Sequence, residues 1–269
     1  MTITKIEWQM NKKSLLIWTL SLSIIVVLFM SIFPSMSNSA MADMMTTKLS
    51  SLPENMLKAF HLNSGPSLIE PTGYFAYVFQ YIFIAASIYA VMLGSKMLVK
   101  EETEGTIEFL YAQPVSRSRI IGEKMVASIA MIGLFWLVIY GFSLGATVFF
   151  NNTKFATKDI VIGLSKIFAT EWFVLLFFLC LGFLLSSLLK QANLGISMGL
   201  VFIFYLGGIM GDLEEKLSFL KDISPMAQAG PAAVLEKDFS WGFAGILFGI
   251  SILLFILARL TYQRKDLNV

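Results

Sequence analysis

Six stretches of nearly continuous apolar sequence divide this chain, and they constrain what it can fold into more than any other feature. They cover residues 15–33, 74–98, 125–150, 170–189, 194–211 and 241–260. Each comes close to the roughly 20 residues that an α-helix needs to cross a hydrocarbon core of about 30 Å. In lipid every backbone N–H and C=O must be bonded within its own segment, so stretches of this length read as helices. The fifth is the shortest and begins four residues after the fourth ends, which predicts a tight helical hairpin. The expected fold class is an all-α integral membrane protein with six transmembrane helices.

Composition narrows the function classes. Of 269 residues, 57% are hydrophobic and 14% are charged, against about 25% charged in a soluble domain. The charges fall between the apolar blocks, so the solvent of most of the chain is the lipid bilayer, and no second soluble domain fits. A net charge of +2 is too small to indicate a nucleic-acid partner. Cys180 is the single cysteine, which rules out a disulfide within the chain, and His61 is the single histidine, so no site needing two histidines can form. Lys12 and Lys13 before the first span and Ser37-Asn-Ser-Ala40 after it resemble a cleaved signal. The apolar run of about 19 residues is longer than the 7–15 of a signal core, so a retained anchor is expected.

Basic residues set the orientation. With the N-terminus inside, the short cytoplasmic segments hold 12 Lys and Arg, including all four arginines, and the longer outer loops hold eight. The inner side carries seven acids against eleven outside. Both termini are expected in the cytoplasm, which requires an even number of spans. Before the first span, Ile3, Ile6 and Met10 recur at helical spacing and read as either a short interfacial helix or a disordered start. In the outer loop 34–72, Ser51-Leu-Pro-Glu54 reads as a helix start leading into an amphipathic stretch with Met56, Leu57, Phe60 and Leu62 on its apolar face. The outer loop 212–240 is expected to form a short helix and a turn-rich return around Pro225 and Pro231.

The segment between spans two and three carries the most information. Helical spacing puts Glu101, Glu104 and Glu108 on one face and Ile107, Leu110 and Tyr111 on another. Pro114 ends this short helix, because it lacks an N–H and excludes its predecessor from the helical region. Ser116 is placed to cap the next helix. A solvated connector with Arg117 and Arg119 near lipid headgroups is one reading. A small helix presented to a cytoplasmic partner is the other.

Four motifs occur in order along the chain. They are Leu52-Pro-Glu-Asn-Met-Leu-Lys-Ala-Phe60, Pro71-Thr-Gly-Tyr74, the loop's Glu104-Gly-Thr-Ile-Glu108-Phe-Leu110 with Pro114-Val-Ser-Arg117, and Tyr262-Gln-Arg-Lys-Asp-Leu267. Together with six spans they resemble the permease subunits of type-2 ATP-binding-cassette transporters over nearly the whole chain. Thr72 stands where the family pattern has Glu, Tyr262 where it has Phe, and Lys265 where it has Arg. The resemblance implies a single permease domain over residues 1–269 that pairs with a second permease subunit, identical or related. It also implies a separate ATP-binding cassette subunit that grips the loop as a coupling helix through Glu101, Glu104, Gly105, Thr106, Glu108, Leu110, Pro114, Ser116 and Arg117. It further implies export of an amphipathic drug, peptide or lipid-like substrate across a bacterial plasma membrane.

Absent motifs fit that division of labour. No Gly-x-x-x-x-Gly-Lys-Ser/Thr phosphate loop occurs, so ATP and magnesium are expected in the partner and no cofactor in this chain. Glu101-Glu102 with Thr106 where an Arg would be needed, and no partner histidines, excludes a prenyl-protein protease. Charges within the spans are nearly absent: Glu171 is placed at the outer start of span four and Lys96 near the inner end of span two; Gln80 and Glu171 are read as end anchors, with substrate contact as the alternative. That counts against a secondary active transporter, which needs ionisable groups near the midplane; a non-transport polytopic membrane protein is the further alternative. Gly141/Gly145, Gly195/Gly199, Gly207/Gly211 and Gly245/Gly249 are expected to serve helix packing within the subunit, with a dimer seam as the alternative.

Overall fold

A computed structural model describes residues 3–37, 67–105, 116–152, 155–237 and 239–265. The amphipathic stretch expected around Ser51–Leu62 lies outside the described residues, as do Thr106, Glu108, Leu110 and Pro114. The helices are α1 (Ile3–Met36), α2 (Pro71–Lys96), α3 (Lys100–Thr103), α4 (Arg117–Phe149), α5 (Thr157–Leu188), α6 (Leu194–Leu213), α7 (Ser218–Ile223), α8 (Pro225–Gln228), α9 (Pro231–Glu236) and α10 (Trp241–Arg264). A 3-10 turn covers Glu215–Leu217, and no strand occurs among the described residues. Helices α1, α2, α4, α5, α6 and α10 are each long and apolar enough to cross a membrane. Their starts follow local chemistry. Ser116, Asn193 and Ser240 cap α4, α6 and α10 through side-chain oxygens, and Pro71 opens α2.

Three helices run well past their apolar cores. α1, α4 and α5 have 34, 33 and 32 residues, which at 1.5 Å each is about 50 Å against about 30 Å of hydrocarbon. The N-terminal stretch is therefore neither a separate interfacial helix nor a disordered start. It is continuous with the first span because no Gly or Pro interrupts residues 3–33. Likewise α5 starts at Thr157, not near Thr170. Lys158, Asp159 and Lys166 break the apolar run there, while Ile160, Gly163, Leu164, Ile167 and Phe168 keep a buried face at helical spacing.

The centre of the bundle is the pair α2 and α5. Thr72 lies beside Gly163 at one end and Gly94 beside Gly182 at the other, so these helices run parallel. At the second crossing the backbones touch. A Cβ on Gly94 would sit 2.3 Å from the Leu179 carbonyl oxygen, and one on Gly182 would sit 2.4 Å from that of Val91. Lipid tails are as apolar as the helices, so association in a bilayer rests on such close packing. Helix α5 also packs on α10, α4 and α9, and α1 packs on α4. Near the middle, Phe79, Trp136 and Phe168 form an aromatic cluster with ring centres 4.5–5.9 Å apart, and Trp136 Nε1 donates to the Phe168 carbonyl at 2.9 Å.

The glycine pairs singled out by spacing are not what packs the subunit. Among the described residues, Gly141, Gly145, Gly199, Gly207, Gly245 and Gly249 have no neighbour within 4 Å of an added Cβ. Spacing marks a small-residue stripe but not the direction in which it faces. Gly211 and its neighbour Gly208 are the exception, since the chain beyond α6 folds back onto them. A Cβ on Gly208 would lie 2.7 Å from Ala227 Cβ, and Ser224 Oγ donates to the Phe204 carbonyl at 2.7 Å. Helices α7 and α8 thus return alongside the end of α6, and α9 seats on α2 and α5.

The Gly94–Gly182 contact makes a direct prediction. Gly94→Leu or Gly182→Leu forces two backbones apart and is expected to destabilise the fold by about 1–3 kcal/mol or more. Gly245→Leu, at an open position, is expected to leave the melting temperature of the purified protein within about a degree or two of the parent. Equal melting of all three variants would contradict the crossing.

Candidate functional site

Where α2 ends, its last turn is gathered by the rest of the bundle. Residues 97–99 form a turn into α3, and their backbone groups find partners on other helices. Ser186 Oγ on α5 accepts from the Leu98 and Val99 N–H groups at 2.8 and 3.0 Å. Lys124 on α4 donates to the Met97 carbonyl at 2.6 Å. Ser197 on α6 donates to Ser95 Oγ at 3.1 Å. A helix end leaves carbonyls without intrahelical partners and a helix start leaves N–H groups so; here the Met97 carbonyl after α2 and the Leu98 and Val99 N–H groups before α3 are satisfied by neighbouring helices.

Lys124 is the hub. Its side chain is 0% exposed, and its ammonium has three donors. One goes to Met97 O, one to Glu7 Oε1 on α1 at 2.7 Å, and one to Glu101 on α3. Glu7 is itself buried, and Asn11 donates to its other oxygen at 3.2 Å. A buried lysine is tolerated only when its charge is paired and all donors are used. The second Glu101 oxygen has no hydrogen-bond partner among the described residues, nor has one oxygen of the adjacent Glu102.

The other Glu102 oxygen reaches the chain's C-terminal end. Lys265, which follows α10, donates to Glu102 Oε2 and to the Leu189 carbonyl, both at 2.9 Å. Arg117 donates to the Lys265 carbonyl at 3.1 Å and the Gln263 carbonyl at 3.3 Å. At the N-terminus Ile3 N–H donates to Glu123 Oε2 at 2.9 Å, while Arg119 pairs with Glu123 Oε1. Both chain ends thus meet the α2–α4 segment at one end of the bundle.

Among the residues expected in the loop site, Glu101 and Glu102 turn inward to ion pairs within the chain. Glu104 and Gly105 are exposed. Gly105 has φ 68°, the left-handed conformation that ends α3, and among the described residues nothing lies within 4 Å of an added Cβ, so it is the backbone conformation that calls for glycine here. Ser116 caps α4 by accepting from Arg119 N–H at 3.3 Å. Residue spacing places Glu101, Glu104 and Glu108 on one face; the first two of these part company, because α3 ends at Thr103.

Lys124, Glu7 and Ser186 escaped the reading of the sequence. Lys124 counts there as one more cytoplasmic charge. Its signal was local: Ile120, Ile121, Ala127 and Ser128 share its helix face, which is a buried face. Glu171 is a second correction. It lies near the middle of α5, fully buried, with neither carboxyl oxygen hydrogen-bonded among the described residues, and is not an anchor at the helix start. Among the described residues no three His, Cys, Asp or Glu side chains converge to hold a metal ion.

Removing the hub cation leaves two carboxylates buried without a counter-charge. Lys124→Ala is expected to cost about 3–5 kcal/mol in unfolding measurements on the purified protein. Adding Glu7→Gln to it is expected to recover part of that loss, because one orphaned charge goes with it. Strict additivity of the two changes would deny the pairing.

The family model described as ABC-2 family transporter protein matches residues 1–267. A comparison with curated proteins gives no match. With the match spanning all six long helices and the segment that joins α2 to α4, the chain belongs to the ABC-2 transporter family and is a multi-pass membrane permease subunit of the kind served by an ABC ATPase.

Proposed function

We propose that this permease subunit exports an amphipathic substrate, driven by a separate ATP-binding subunit that docks on the segment between α2 and α4. The observation that carries this reading is the convergence of polar contacts on residues 97–102. Ser186, Lys124, Glu7 and Lys265 join that one short stretch to α5, α4, α1 and the end of α10. A push on α3 therefore reaches four spans at once. Glu104 and Gly105, exposed beyond α3, offer the first contact, and Thr106, Glu108, Leu110, Pro114, Ser116 and Arg117 continue it. ATP and magnesium belong to the partner. Glu101 acts in this scheme as a transmitter, since its carboxylate is bound to Lys124.

Two further elements complete the proposal. The basic residues gathered at the end of the bundle that bears both termini support a cytoplasmic location for that end, in a bacterial plasma membrane. Exposed apolar side chains along α1, α6 and α10, among them Leu28, Ile203 and Leu253, support a working dimer with a second permease subunit, the rest of that surface facing lipid. The apolar spans favour an amphipathic cargo over a hydrophilic ion.

The docking reading is tested by co-purification with the ATPase. Glu104→Lys and Glu108→Lys are expected to abolish the complex while leaving the melting temperature intact. Ser186→Ala is expected to keep the complex but uncouple it, lowering transport per ATP hydrolysed. Unchanged complex and transport in all three would refute the assignment, and a reporter fused after Val269 that reads external would refute the orientation. A secondary carrier would use Glu171 for its coupling ion. Transport that persists without ATP and disappears in Glu171→Gln would favour that reading instead.

A further inference from the structure

A cavity of about 520 Å³ opens between α1, the end of α2, α3 and the turn into α6. It lies at the level where the apolar run of α2 gives way to Lys96, which is the headgroup level of a bilayer. Its inner wall is Tyr89, Met92 and Leu93, and its mouth carries Lys96 and Lys100. Among the described residues Lys96 has no carboxylate partner, and Lys100 contacts only Met10 Sδ at 3.4 Å. Glu104 also reaches the mouth, which leaves a net positive charge there.

A second observation points to an occupant. Tyr89 is 1% exposed, lines this cavity, and its hydroxyl has no hydrogen-bond partner among the described residues. A buried tyrosine hydroxyl nearly always finds a partner. Its ring packs against Trp18, 5.5 Å away, and Phe135 at 4.8 Å. Tyr89 and Lys96 are two helical turns apart on one face, a rise of about 10 Å. The site thus offers two ammonium groups at the water side and, two helical turns back along α2, a tyrosine as neutral donor, with apolar side chains between. Continuing along the same face of α1 from Ser14, Ile17 and Ile25 are exposed and apolar, a surface for acyl chains.

We infer that this cavity holds an anionic glycerophospholipid. The phosphate lies between Lys96 and Lys100, and an ester carbonyl accepts from the Tyr89 hydroxyl. Basic pockets between spans at the headgroup level select lipids by charge, and this one adds a donor at the depth of the ester groups. The site abuts α3, so its occupant would brace the same segment that the Lys124 contacts hold. The inference stands independently of export, because it requires only that the chain lie in a bilayer.

The test is native mass spectrometry of the full-length protein titrated with phosphatidylglycerol or phosphatidylcholine. Phosphatidylglycerol is expected to bind more tightly. The Lys96→Gln/Lys100→Gln double variant is expected to lose roughly 30-fold in affinity for it and little for phosphatidylcholine. Lys96→Arg/Lys100→Arg is expected to retain binding, and Tyr89→Phe to weaken both lipids a few-fold. Equal binding of the two lipids by the parent, an unchanged double variant, or loss in the arginine variant would each overturn the site. Competition by soluble glycerol phosphate as strong as that by the lipid would make it a free-phosphate site and refute a lipid occupant. A double variant altered only in its monomer–dimer balance would assign the cavity to a second copy of the chain and refute it equally.

Discussion

The three bonds of Lys124 hold together parts of the chain that have no other reason to meet. Hydrophobic burial cannot organise this end of the bundle, because α1 and α4 extend here beyond the hydrocarbon, and within it lipid competes equally for every apolar face. A buried ammonium with carboxylates from α1 and α3 and the Met97 carbonyl from the end of α2 imposes a geometry instead. Such an arrangement adds little net stability over apolar packing of the same volume, but it tolerates few alternatives, since displacing any partner strands a charge. The long continuous α1, with its N-terminus drawn to Glu123 and Lys124, depends on it.

A second constraint sets where motion can go. At Gly94 and Gly182 the backbones of α2 and α5 touch, and Ser186, one turn further along α5, grips the turn after α2. These two helices are therefore fastened to each other at this end. By contrast α1, α6 and α10 present mostly exposed apolar surfaces within this subunit. Under the proposed coupling, a force on α3 would be received by the α2–α5 pair through the turn at residues 97–99 and by α1 and α4 through Lys124.

The six long helices were legible in the sequence, because a hydrocarbon core demands one length and one composition and few other folds supply both. Local chemistry was legible too: Ser116 shows its capping role in a single hydroxyl placed before a helix. What stayed hidden depends on which way a residue faces in three dimensions. Gly94 and Gly182 sit alone in their spans and make the closest contact, while evenly spaced glycines such as Gly245 and Gly249 face open space. Glu171 was misplaced because charged neighbours on the opposite face of α5 cut the apolar run short. Lys124 was hidden because counting charges by side treats every lysine as solvated.

The loop site divides between these two kinds of information. Its motif assigns one role to Glu101, Glu104 and Glu108, as acids on a common face. The backbone separates them: α3 stops at Thr103 and Gly105 turns left-handed, which leaves Glu101 locked to Lys124 and Glu104 in the open. An acid bound inward cannot also steer a partner, and an exposed acid past the end of α3 cannot pull on that helix. Under the proposed coupling role, contact and transmission would fall on different residues a single turn apart. Gly105 follows both and turns the chain out of α3. A residue with a side chain there would resist the left-handed conformation and rotate the contact surface relative to its anchor.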